Sequence, residues 1–403
     1  MKIGIVIESL QIGGMETVLK SLAQFFRNDG NEVEFIEVFR TGPWSDYFAS
    51  LGFRVKTVPA KQMVSRYAHA SRIAQVLSGY DVLLLNDVPL AQASLGMLGS
   101  NTVTIPIIHL DMPSFIVNAA GNFGQWNKVV AVSPMLKEKF VRDTGIGAEY
   151  IEFVANAVDL SDKEAGRRAN GKKIHLLFIG RIENRQKGVF LLPEIMKKIS
   201  LIVSDVHLNV VGDGPDLRHL KQMFKDSGIN NVSFFGALLH DEALEVMRSS
   251  RIMLMPSYFE GMPIALLEAM SNGLVPVVSN LRNSTDFIVE DGVNGYLASP
   301  GDIEGFVFKI AACLESDDRL NAMSGEAMNT VKRKFTTEIM GGHYREIIRE
   351  AIEANGRKPL KRTKKIDQDL LGDFSRMPVV LTRPLRKIKR ILSVKAEKSD
   401  RRA

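Results

Sequence analysis

What this chain lacks narrows its possibilities first. Its 403 residues include a single cysteine, Cys313, so no intrachain disulfide can form and no cysteine-based metal cluster exists. That fits a reducing compartment, and the cytoplasm is the expected location. Long apolar runs are missing as well, since nothing approaches the roughly 18 uninterrupted apolar residues that a spanning helix needs. The run Lys2-Ile3-Gly4-Ile5-Val6-Ile7 meets Glu8 too soon to serve as a signal peptide. No His/Asp cluster shows metal-ligand spacing and no D-x-D triplet of the metal-holding kind follows a strand, so metal independence is expected.

Charge is unevenly placed. The chain is formally +6, yet residues 355–403 hold 16 Lys and Arg against 5 Asp and Glu. The first 354 residues are left with 36 basic and 41 acidic side chains, a mildly acidic body with a basic tail. Such asymmetry points the tail at an anionic partner. Leu381, Leu385, Ile388 and Leu392 recur at helical spacing with Arg and Lys between them. That pattern suits an anionic membrane surface, reached by residues 381–395. The alternative is a solvated, disordered tail. Nucleic acid ranks last because Phe374 is the tail's one aromatic, and stacking platforms need several.

The body reads as α/β. Strands are expected at Ile3–Ile7, Val33–Val38, Val82–Leu85, Val103–Ile108, Val129–Val132 and Tyr150–Val154. Helical patterns at Glu16–Arg27, Tyr67–Leu77 and Pro134–Asp143 alternate with them. After a polar stretch from Asp159 to Gly171 the same grammar restarts. Its strands are Ile174–Ile179, Val206–Val211, Val232–Phe235, Ile252–Met255 and Val275–Val278. Its helices lie near Val189–Ser200, Asp216–Lys225 and Asp241–Arg248. Two Rossmann-like units in tandem are expected, residues 1–160 and 172–336, followed by the tail 355–403. A helix near Thr337–Ala354 is expected to return to the first unit.

The chemistry-bearing residues gather at strand ends. In Pro256-Ser257-Tyr258-Phe259-Glu260-Gly261-Met262-Pro263, which follows the apolar strand Ile252–Met255, Tyr258–Met262 reads as a loop. A helix from Pro263 to Gly273 then carries Glu268, eight residues after Glu260 and about two turns along. Ile12-Gly13-Gly14-Met15-Glu16 opens a helix after the first strand, where glycines let a phosphate approach unpaired N–H groups. Gly180-Arg181 and Lys187-Gly188 set two cations beyond another strand, able to neutralise a diphosphate. His109 ends the strand Val103–Ile108, and Gly212-Asp213-Gly214-Pro215 follows another as a structural turn.

Together these segments resemble the retaining GT-B glycosyltransferases with an E-x7-E motif, the large bacterial group 1 type, over about residues 1–350. The resemblance implies two Rossmann-like domains facing a central cleft, with a nucleoside-diphosphate sugar as donor. It implies that Glu260 contacts the donor sugar beside the backbone of Gly261 and Met262, and that Glu268 accepts hydrogen bonds from the ribose. Arg181 and Lys187 would carry the leaving diphosphate, Gly13 and Gly14 would face it, and His109 would lie near the donor sugar or the acceptor. The acceptor would be a lipid-linked or oligosaccharide hydroxyl in envelope polysaccharide or glycolipid synthesis. Two departures stand out. Ile182–Gln186 is one residue longer than the commonest family spacing, and Ala157 in Asn156-Ala157-Val158-Asp159 replaces the usual glycine. Rival readings are a nucleotide-sugar epimerase on the same fold and a non-catalytic nucleotide-sugar-binding membrane scaffold.

Overall fold

The computed structural model describes residues 1–160, 174–371 and 376–377. Most of the expected linker, and the amphipathic stretch 381–395, lie outside the described residues. The chain divides into two compact units. The first comprises Met1–Ala131, Lys137–Val154 and the described residues from Gly341. The second comprises Val132–Leu136 and Ala155–Met340.

The first unit is built on a parallel sheet of β1 (Lys2–Ile7), β2 (Glu32–Glu37), β3 (Arg54–Thr57), β4 (Val82–Asn86), β5 (Val103–Ile108), β6 (Val129–Ala131) and β7 (Ile151–Phe153). Their order is β3-β2-β1-β4-β5-β6-β7. Strands β4 and β5 are buried along their whole length, as near-continuous apolar runs covered on both faces require. Strand β3 was not anticipated from the sequence. Three of the four residues in Arg54-Val55-Lys56-Thr57 are polar, as suits a strand on the sheet edge that pairs only with β2. There Arg54 and Lys56, with Lys2 from β1, surround the buried Glu34 carboxylate at 2.8, 2.6 and 3.3 Å.

The strand order reverses between β1 and β4, the topological switch point of this all-parallel sheet. Register pairs Ile7 with Asn86, so the next residues, Glu8 and Asp87, leave the sheet side by side. The helix Thr337–Arg357 enters this unit at Gly341, where an added Cβ would lie 2.4 Å from the Phe25 ring. Arg345 on the same helix pairs with Asp29 at 3.3 Å. The chain then lies along the unit, with the Asp367 N–H donating to the Ala93 carbonyl at 2.9 Å. Ile366 and Leu371 are buried there with Ala70 and Ala93.

The second unit repeats the plan with β8 (Ile174–Ile179), β9 (Val206–Val211), β10 (Val232–Gly236), β11 (Ile252–Met255), β12 (Val275–Ser279) and β13 (Tyr296–Ala298), ordered β10-β9-β8-β11-β12-β13. Its core packs Leu176, Leu208, Leu254 and Val277 of the sheet against Ile195, Ile199, Phe306 and Ile310 of the covering helices. The three-residue edge strand β13 is too short to leave a periodic signal in the sequence.

Two expectations about the Glu268 helix need correction. Pro263 is the residue capping the helix start, with extended ψ of 112°, and the helix runs Ile264–Ser271. Glu268 therefore stands just over one turn inside it rather than two; the shift of the start from Pro263 to Ile264 accounts for one residue, and even from Pro263 the helix would have advanced only about 1.4 turns. Gly273 does follow the helix end, at φ 73°. The expected single helix Val189–Ser200 is a 3-10 turn, Val189–Leu191, leading into a helix Leu192–Ile202.

Candidate functional site

The second unit's topological switch point lies between β8 and β11, and ligands of open α/β sheets bind beyond such points. Leaving β8, the chain passes Gly180-Arg181 and is held by the turn that leaves β9. Gly212 has φ 130°, and a Cβ there would sit 1.9 Å from the Gly180 carbonyl oxygen, so only glycine lets the two exits approach. The Ile182 N–H donates to the Asp213 carbonyl at 2.9 Å. The Asn184 N–H donates to the Asp216 carboxylate at 2.7 Å, opening a single helical turn, Asn184–Lys187. Gly188 closes that turn in the left-handed region at φ 61°. This helical turn delivers Lys187 back toward the β11 loop.

There the Lys187 Nζ lies 2.6 Å from Glu260 Oε1. Glu260 is 4% exposed, and a carboxylate so deeply enclosed needs a cation and donors to remain there. It has both, since Ser257 Oγ donates to Oε1 at 2.7 Å and Gln186 Nε2 reaches Oε2 at 3.3 Å. The following residues are clamped too. The Gly261 carbonyl accepts from Ser284 Oγ at 2.9 Å, and the buried Met262 accepts at its carbonyl from Asn156 Nδ2 at 3.2 Å. Ala157 is buried at 1% exposure.

Lys187 and Glu260 are therefore brought together, whereas the other candidates of this unit have different neighbours. Arg181 is largely exposed and pairs with Glu183 at 3.3 Å. The half-buried Glu268 has His240 Nδ1 3.8 Å from its Oε1. Sequence reasoning missed His240, Ser257 and Gln186 as members of this group. Ser257 stood just before the expected loop, but nothing in its spacing tells that it turns toward Glu260.

In the first unit, Gly13 caps the helix Gly14–Asn28 in an extended conformation and Gly14 is its first residue. The loop before it is pinned twice, by the Leu10 N–H on Glu37 Oε1 at 2.9 Å and the Gln11 N–H on Glu16 Oε1 at 3.0 Å. Burial pushes the Glu16 carboxyl up to about 7, with its own and the Gln11 N–H pulling the other way.

His109, just past β5, has Nε2 2.8 Å from Asn86 Oδ1. The Asn86 amide nitrogen donates to the Val6 and Leu84 carbonyls, which leaves Oδ1 as the acceptor and places the His109 proton on Nε2. Burial lowers His109 to about 4, so the ring is neutral near pH 7. Next in sequence to Asn86, Asp87, at φ 52°, is raised to about 8 by burial and by the like charge of Glu8. Neither acid was singled out from the sequence. Each directly follows an apolar strand flanking the switch point, and strand order is what reveals them.

With that geometry in place, comparison with known proteins is specific. Residues 12–162 match the model for Glycosyltransferase Family 4 and residues 161–330 match that for Glycosyl transferases group 1. The lipopolysaccharide 1,6-galactosyltransferase of Escherichia coli K12 is 26% identical over 182 residues, 44% of this chain and 50% of that protein. The E. coli UDP-Gal:alpha-D-GlcNAc-diphosphoundecaprenol alpha-1,3-galactosyltransferase is 28% identical over 210 residues, covering 52% of each. The chain thus spans about half the length of the curated relatives it matches. Among solved structures, Anabaena HepE in complex with UDP and glucose superposes with a TM-score of 0.73 at 19% identity, over 87% of this chain and all of that one, a likeness of fold. Two Rossmann-like parallel-sheet units, joined in this order and matching these two models, show that the chain belongs to the GT-B glycosyltransferases of the group 1 type.

Proposed function

We propose that this chain is a retaining glycosyltransferase, moving a sugar from a nucleoside diphosphate to a hydroxyl of a lipid-linked or oligosaccharide acceptor. The observation that carries the reading is the Lys187–Glu260 pair at the second switch point, with Gly261 and Met262 clamped beside it. The lysine gives the site a cation beyond β8, and Arg181 a second, more exposed one. These two charges stabilise the diphosphate as it leaves, which is where such a reaction accumulates negative charge. No metal is required for that neutralisation. Glu268, an acceptor-only carboxylate, takes the ribose hydroxyls. Glu260, Gly261 and Met262 border the sugar.

In the step itself the bond from the anomeric carbon to the diphosphate oxygen breaks. The acceptor hydroxyl oxygen forms a new bond to that carbon on the same face. Its proton passes to the leaving diphosphate, so no side-chain nucleophile is needed. Gly13 and Gly14 give the first unit a helix start whose unpaired N–H groups suit a phosphate. His109 is neutral with its proton on Nε2, which makes it a hydrogen-bonding group for a sugar hydroxyl rather than an acid.

The acceptor class is supported by the E. coli relative whose name gives a diphosphoundecaprenol-linked acceptor, and the donor class by the HepE structure with UDP and glucose. An envelope polysaccharide or glycolipid pathway fits both. No described helix is long and apolar enough to cross a membrane, and the basic segment 381–395 would hold the enzyme at an anionic inner leaflet. The test incubates purified protein with nucleotide sugars and bacterial lipid extract in EDTA. Acceptor-dependent release of the nucleoside diphosphate, with the donor's anomeric configuration kept in the product, is expected. Donor converted to another sugar without acceptor would instead indicate an epimerase.

A further inference from the structure

We infer that Gln186 and Ser257 are positioning residues for the donor diphosphate: they fix the Glu260 carboxylate, and Glu260 in turn fixes the Lys187 ammonium. The inference rests on the proposed donor site and adds to it two side chains that touch no substrate.

A lysine is a poor positioning device by itself, because a flexible four-carbon stem carries its charge and three rotatable donors. What restrains this one is the carboxylate at its tip, and that carboxylate is restrained on both oxygens. Oε1 accepts from Lys187 Nζ at 2.6 Å and from Ser257 Oγ at 2.7 Å, while Gln186 Nε2 lies 3.3 Å from Oε2. Ser257 is 0% exposed, so water cannot replace its hydroxyl. Gln186 also braces the loop through its backbone, since its carbonyl accepts from the Tyr258 N–H at 2.7 Å. Next to it a Cβ on Gly188 would meet the Pro256 carbonyl oxygen at 2.1 Å. The single turn Asn184–Lys187 and the loop Pro256–Glu260 therefore seat directly on one another.

Truncating the Gln186 side chain removes its donor on Glu260 Oε2 and its long contact to the Phe259 carbonyl at 3.5 Å, while the backbone bond from Tyr258 still seats the turn on the loop. Ser257→Ala removes the second donor on Oε1, and Ser257→Thr retains a hydroxyl there. The effect should appear where Lys187 acts, on the terminal phosphate, and not on the nucleoside.

The experiment uses the full-length protein. A panel of UDP, GDP and ADP first identifies the nucleotide that binds, and affinity is then measured for its diphosphate, monophosphate and nucleoside forms. Gln186→Ala and Ser257→Ala are each expected to cut the affinity gained from the terminal phosphate by about 3–10-fold, the scale of one lost hydrogen bond, with nucleoside affinity unchanged. Ser257→Thr should recover most of it. In a Lys187→Ala background, Gln186→Ala should add nothing, because the group it positions is gone. If Lys187→Ala abolishes the terminal-phosphate gain while Gln186→Ala and Ser257→Ala preserve it, the inference is overturned and the donor site stands. Losses that add independently to that of Lys187→Ala overturn it too. If wild-type protein gains nothing from the terminal phosphate, or keeps the gain in Lys187→Ala, the donor-site reading itself fails.

Discussion

Glu260 Oε1 receives both the Lys187 ammonium at 2.6 Å and the Ser257 hydroxyl at 2.7 Å, inside a loop where Glu260 is 4% exposed. A carboxylate so placed does two jobs, balancing a charge that would otherwise be costly and setting where that charge points.

These jobs separate experimentally. Lys187→Ala should reduce turnover by about 10²–10³, the usual loss for one preorganised charge-stabilising donor. It should also lower the melting temperature, because Glu260 is left enclosed without its cation. The double variant Lys187→Met with Glu260→Gln, neutral on both sides, should regain the stability and none of the turnover. Melting curves and steady-state rates on the same preparations check both parts.

Glu268 should matter for binding rather than for chemistry. Hydrogen bonds to a charged group are typically worth enough to predict a loss of about 10-fold or more in nucleoside diphosphate affinity for Glu268→Ala. Calorimetric titration reads this directly, and unchanged affinity would remove Glu268 from the ribose site.

Acid stability has a distinct origin in the first unit. Burial alone would raise Glu34, but Lys56, Tyr80, Arg54 and Lys2 outweigh it and hold the carboxyl at about 2. The folded value lies below the ordinary one of 4.5. Its stabilisation is therefore complete above about pH 4.5 and is lost as pH falls toward 2. Glu34→Gln should lower the melting temperature near pH 7 by about 5 °C, with the gap closing in acid. A gap that stays constant from pH 7 to pH 3 would contradict the assignment.

Asp87 works in the opposite sense. Its carboxyl is raised to about 8 by burial and by Glu8, so the native state holds a proton that the unfolded chain releases near pH 4. Wild-type stability should decline as pH rises between those values. Asp87→Asn should flatten that decline, and melting temperatures at pH 5 and pH 9 decide the matter.

The central strands of both units were legible in the sequence because β4, β5, β8 and β11 are short apolar runs bounded by polar turns. Strands β3 and β13 were not, one being mostly polar on an edge and the other only three residues long. At the site, Lys187 and Glu260 could be named from motif spacing. That they form a pair could not, since 73 residues separate them and their meeting depends on how the turn closed by Gly188 seats on the loop. Gln186 and Ser257 were invisible for the same reason. Glu8 and Asp87 needed strand order, because adjacency of β1 and β4 is a property of the sheet rather than of either segment.

The most direct test of the account is a thermal-shift series of the purified protein against UDP, GDP, ADP and their common sugar conjugates, with EDTA present. A ligand that binds only the folded state raises apparent stability by mass action. The account predicts a clear shift for one nucleotide base, kept in EDTA, strongly reduced in Glu268→Ala and reduced in Lys187→Ala for the diphosphate form. No shift with any nucleotide, or a shift that both variants retain in full, would contradict it.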